Sequence, residues 1–125
     1  MRTFRLGKLV RDKIVKHHVH MGGEVAHKRL HGDELIAALA DKIIEEAKEL
    51  RENPTANEIA DVREALNRLA AVCGISEADI TEAQKQKREK NGGFENGDYI
   101  VSVTLPADNK WAKYYAADPE RFPET

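Results

Sequence analysis

Aromatic residues make up only 6% of this chain, cysteine occurs once, and no apolar run is long enough to span a bilayer. Each shortage removes a class of protein. Cys73 alone cannot form an internal disulfide, so the chain is not a stapled secreted scaffold, and a reducing, cytoplasmic setting is the expectation. The first residues lack the apolar core of a signal peptide. Neither G-x-x-x-x-G-K-[ST] nor G-x-G-x-x-G is present, so no glycine-rich loop can cradle phosphates. A formal net charge of −2 gives no general field for a nucleic-acid polymer or an anionic membrane, and any anion site has to be local.

What is present is charge of both signs at helical spacing. With 34% charged residues and 125 residues in all, the composition suits one mainly α domain, and the pattern changes to a C-terminal strand and aromatic tail over 98–125. Leu9, Val10 and Ile14 predict a short amphipathic helix through about His20, ended by Gly22 and Gly23. Asp33 is placed to cap a helix running to about Glu52. Asn53 and Pro54 break it. Thr55 and Glu58 form the T-x-x-E capping box of a second long helix, to about Cys73. Ser76 opens a third, poor in apolar residues, which stops at Gly92 and Gly93. Tyr99, Ile100, Val101, Val103 and Leu105 predict a short strand, and Trp111, Tyr114, Tyr115 and Phe122 follow as side chains that pack or stack.

The two long helices carry an anomaly. Ile36, Leu39, Ile43, Ala47 and Leu50 form one apolar stripe, and Glu46 projects inside it, with Glu49 and Glu45 further round its edge. Ile59, Val62, Leu66, Leu69 and Cys73 form the other, with Glu58 inside and Asp61 beside it. On that stripe Cys73 is expected to be a small core residue. If the chain reverses at Pro54, Glu49 and Glu58 are equidistant from the turn, as are Glu46 and Asp61. At about 1.5 Å of rise per residue the two acidic levels would be roughly 4.5 Å apart.

Four carboxylates on facing apolar stripes repel, and burying them uncompensated costs several kcal/mol each, so a cation is expected in the site. Oxygen-only donors favour Mg²⁺, with Mn²⁺ as a substitute, and four carboxylates match the charge of two divalent ions. A di-iron bundle is the other use of facing glutamates, but no E-x-x-H follows any of these acids. Ordinary surface salt bridges and the capping role of Glu58 are the bland alternatives. All five histidines fall between His17 and His31. His17 and His20 share a helix face that could hold zinc or nickel, but no cysteine or clear carboxylate completes a ligand set, so a solvated role is favoured. Lys85, Lys87 and Arg88, near the end of the third helix, are candidates for binding phosphates, and Arg11 and Asp12 for further substrate contacts.

Glu45-Glu46-Ala47-Lys48-Glu49 followed by Glu58-Ile59-Ala60-Asp61 resembles the E-E-x-x-E … E-x-x-D signature of the all-α NTP pyrophosphatase superfamily, the MazG-like proteins. Lys8-Leu9-Val10-Arg11-Asp12-Lys13-Ile14 and Lys87-Arg88-Glu89-Lys90-Asn91-Gly92-Gly93-Phe94 are similar to the subgroup of house-cleaning, phosphoribosyl-ATP pyrophosphohydrolase-like members. The resemblance covers roughly residues 8 to 95. It implies an antiparallel helical bundle and Mg²⁺-dependent cleavage of a nucleoside triphosphate between the α and β phosphates. It further implies Glu46, Glu49, Glu58 and Asp61 as metal ligands, Glu45 as a water-orienting acid or base, Lys85, Lys87 and Arg88 facing the phosphates, and a homodimer or higher assembly. Two departures bear on substrate identity: the link between the acidic halves is short, and Val15 stands where the subgroup commonly has proline. A true phosphoribosyl-ATP pyrophosphatase of histidine synthesis and a non-catalytic helical metal-binding or regulatory module are the alternatives.

Overall fold

In a computed structural model covering residues 1–125, the chain forms five helices: α1 (Ile14–His20), α2 (Gly32–Glu52), α3 (Ala56–Val72), α4 (Glu77–Asn91) and α5 (Lys110–Ala116). It divides into two compact units, Met1–Lys87 and Arg88–Thr125, with the boundary inside α4. No helix is long and apolar enough to cross a membrane.

The first unit is organised by one helical hairpin. The Asn53-Pro54 break lets the chain reverse, and α2 and α3 pack along each other; no other pair of helices makes a comparable contact. The antiparallel packing expected of a bundle is therefore present for these two helices alone. On the α2 side most of the predicted stripe meets α3: Leu39 is buried and Ile36, Ile43 and Leu50 are half-buried, while Ala47 stays exposed. From α3, Ala65 is buried and Val62 and Leu69 are half-buried, while Ile59 and Leu66 stay exposed. A core with so few fully covered apolar side chains makes each of them matter.

Helix ends follow local chemistry. The Thr55 hydroxyl accepts from the Glu58 N–H at 3.3 Å, and the Ser76 hydroxyl accepts from the Asp79 N–H at 3.1 Å, so both predicted caps form. α3 closes in a Schellman turn, in which Ile75 donates to the Ala70 carbonyl and Gly74 to that of Ala71. Gly74 takes the positive φ of 71° that this turn needs.

Several expectations are corrected. The stretch around Tyr99, Ile100, Val101 and Val103 is not a strand: the structure contains none, and these side chains are exposed. Their β-branched character supplies propensity, but a strand needs a ladder partner and the chain offers no second one. Helix α1 starts at Ile14 instead of Leu9, because Lys8 and Arg11 are engaged by acids on α2 and α3, which holds that stretch out of a helix. Asp33 does not cap α2. His31 occupies the N-cap without a side-chain bond, and Asp33 lies in the first turn, where a carboxylate still complements the helix dipole. Cys73 is exposed, not a core residue: it is the C-cap, past the last residue of α3, and so lies beyond the packed stripe of that helix.

The second unit is small and aromatic. Helix α5 was not anticipated from the sequence, although Asn109 caps it by accepting from the Trp111 N–H at 2.8 Å. Its rings pack on each other: Tyr115 and Phe122 lie edge to face at 4.9 Å, and Trp111 meets Tyr114 at 5.7 Å. The Arg121 guanidinium covers the Phe122 ring at 4.8 Å.

Candidate metal centre

The hairpin brings three of the predicted acids together. One carboxylate oxygen from each of Glu46, Glu58 and Asp61 lies within 4.8 Å of the others, and no second group of three metal-capable side chains occurs in the chain. Glu46 belongs to α2 and the other two to α3, so the site exists only because the helices pack. Glu46 is 7% exposed, the one buried charged residue of the protein. The Oε2 atoms of Glu46 and Glu58 are both buried and neither has a hydrogen-bond partner. A buried acceptor left unpaired costs about 1–3 kcal/mol, and more when charged.

The capping box at Glu58 is only half formed. Its N–H donates to Thr55, but its carboxylate is turned into the acidic group. Capping therefore accounts for the Glu58 backbone and not for its side chain. Glu49, the fourth predicted ligand, is exposed and stands outside the triad. It is close enough to sense it: the charge of Glu46 first, and then burial and the charge of Glu58, raise its carboxyl above the ordinary value.

Protein cations reach the rim of the group. Lys42 Nζ lies 3.2 Å from Glu46 Oε1 and 3.4 Å from Glu45 Oε2. From the segment before α1, Lys8 Nζ lies 2.6 Å from Glu45 Oε1, and Arg11 Nη2 lies 2.6 Å from Asp61 Oδ1. The Lys8 bond holds Glu45 below the usual carboxylate range, and Glu45 in turn raises Lys8. Lys8 and Lys42 are site residues that sequence reasoning missed. Lys42 had a local signal, its i+3 and i+4 spacing to Glu45 and Glu46. Lys8 had none, since its partner is 37 residues away.

The remaining candidates stand elsewhere. Asp12 is exposed and pairs with nothing. Lys85 and Lys87 are exposed on α4 and form no ion pair, while Arg88, in the second unit, is engaged by Glu95. The five histidines are exposed and enter no metal-capable group.

No protein-family model, curated protein or solved structure matches this chain. The chemistry has to be read from the side chains themselves. All donors are carboxylate oxygens, which select a hard divalent ion over zinc or copper. Oxygens sharing one octahedral Mg²⁺ at about 2.1 Å lie at most about 4.2 Å apart, so a triad held within 4.8 Å needs only a small side-chain adjustment to close on an ion. The two orphaned oxygens are the acceptors such an ion would satisfy, and on that ground the residues fit the group.

Proposed function

We propose that the protein is a Mg²⁺-dependent nucleoside triphosphate pyrophosphohydrolase, cleaving between the α and β phosphates to release a monophosphate and pyrophosphate, with modified or surplus nucleotides as substrates. The observation that carries this reading is the pair of buried, unpartnered oxygens on Glu46 and Glu58, in an acidic triad that Asp61 completes. The order of the acidic and basic motifs along the chain, which resembles the house-cleaning pyrophosphatases, supports it.

Glu46, Glu58 and Asp61 would hold the ion, with Glu49 joining from the edge. When bound, Mg²⁺ neutralises phosphate oxygens and makes the phosphorus more open to attack. Glu45, beside Glu46 on α2, would orient a water and accept its proton at a carboxylate oxygen. That water adds to the α phosphorus while the bond to the bridging oxygen breaks and pyrophosphate leaves. Lys85 and Lys87, which form no ion pair, are the proposed cations for the phosphates. A second copy of the chain is the proposed cover for Ile44, Ile59 and Leu66, apolar side chains left about half exposed on α2 and α3. Sedimentation should then show a homodimer or a higher assembly.

One observation favours a second reading, a non-catalytic metal-binding or regulatory module: two of the acids, Glu45 and Asp61, already have ion-pair partners. A panel of canonical and damaged nucleoside triphosphates, scored for pyrophosphate release with Mg²⁺ and with Mn²⁺, separates the two. Release from at least one nucleotide, lost in Asp61→Asn, supports the enzyme. No release from any nucleotide, with ion binding intact, supports the module.

A further inference from the structure

We propose that Lys8 and Arg11 form a displaceable pair of internal cations: seated on Glu45 and Asp61 they limit the acidic group to one divalent ion, and they transfer to the polyphosphate of the substrate when it binds. The proposal rests on the divalent-ion reading above.

The charge inventory sets the argument. Four carboxylates (Glu45, Glu46, Glu58 and Asp61) are tied by short distances to one another or to three protein cations (Lys8, Arg11 and Lys42), leaving one negative charge, too little to hold more than one divalent ion. Were Lys8 and Arg11 to leave, three negative charges would remain, enough to draw in a second. The orphaned Glu46 oxygen, on a residue 7% exposed, shows that the protein's own cations do not complete the group.

The three cations are not equivalent. Lys42 projects from α2 itself, its side chain is 19% exposed, and it bridges two acids of its own helix, so it is fixed. Lys8 and Arg11 are 43% and 54% exposed at the side chain and belong to a segment outside any helix. Exposed ion pairs of this kind are weak and readily exchanged. Gly7, with a φ of 62° and open space around it, gives the segment a turn immediately before Lys8. An ammonium and a guanidinium suit phosphate oxygens at least as well as carboxylates, and the guanidinium can grip them bidentately. A nucleoside triphosphate approaching the acidic group would otherwise meet like charge. Withdrawing two cations onto the phosphates answers that repulsion and opens Asp61 to a second ion in the same step.

The test is a calorimetric Mn²⁺ titration of the full chain without nucleotide. Wild type should bind one ion. The double variant Lys8→Met/Arg11→Met should bind two, or bind the first at least tenfold more tightly. Arg11→Lys, which can still reach Asp61, should keep the one-ion stoichiometry while weakening binding of α,β-methylene-ATP. Far-UV circular dichroism checks helicity; if the double variant loses it, Lys8→Met and Arg11→Met singly should each tighten Mn²⁺. Wild type and variants alike in stoichiometry, with affinities within twofold, would overturn the proposal while leaving the ion site standing. Absence of Mn²⁺ binding from every protein would remove the ion reading and this proposal together.

Discussion

The hairpin of α2 and α3 and the aromatic unit after Lys87 both gather like side chains, and the two gatherings have opposite consequences. Trp111, Tyr114, Tyr115 and Phe122 satisfy one another through edge-to-face and stacked contacts, and nearby cations cover Trp111 and Phe122. No buried polar atom there lacks a partner. Glu46, Glu58 and Asp61 repel one another, and two of their oxygens are buried and unpaired. A cluster whose members complete each other explains itself as packing. A cluster whose members do not is a request for something outside the chain.

The sharpest way to break this contrast is Glu58→Gln, which leaves the Thr55 cap intact because the cap uses the Glu58 N–H. Outer partners of metal ligands are already worth roughly 10–100-fold in affinity, so loss of a direct ligand should weaken Mn²⁺ binding on the order of 100-fold, measured by calorimetry. Leu39→Ala, in the thin core of the hairpin, should cost about 2–3 kcal/mol in urea unfolding followed by helical signal. Tyr115→Ala removes contacts to Trp111, Tyr114 and Phe122. It should cost about 2 kcal/mol, reported by near-ultraviolet circular dichroism, and leave Mn²⁺ affinity unchanged. Thr55→Ala should cost about 1 kcal/mol of stability with ion affinity retained, the complement of Glu58→Gln.

The smallest effect concerns acid. The Arg88 guanidinium holds the exposed Glu95 carboxyl below its ordinary value of 4.5. The contact is therefore complete above that pH and is lost as pH falls through the depressed value. Amide exchange in the turn from Gly92 to Gly97 should quicken on that descent, and Glu95→Gln should abolish the pH step with the melting temperature scarcely moved.

The hairpin was legible because its signals are local and repeated. Ile36, Leu39 and Ile43 keep one period, Pro54 stops it, and Thr55 restarts it. Glu46 was legible as an acid on an apolar face, and the turn at Pro54 told which acids it would meet. The C-terminal half read poorly because its pattern is short. Val101 and Val103 have the propensity of a strand without a neighbour to pair with, and the seven residues of α5 are announced only by Asn109. Lys8 on Glu45 and Arg11 on Asp61 were out of reach for another reason: each joins residues 37 or 50 apart, and no periodicity encodes such a meeting. Glu49 shows the limit of a linear register, since equal distance from the turn did not give it the burial of Glu46.

The central claim is that the unpaired oxygens of Glu46 and Glu58 exist to hold a divalent cation. A Mn²⁺ titration of wild type beside Glu46→Gln, followed by electron paramagnetic resonance of the free ion, tests it most directly. The account predicts saturable uptake by wild type and its loss in Glu46→Gln with helicity unchanged. Equal uptake by the two proteins, or none by wild type, would contradict it.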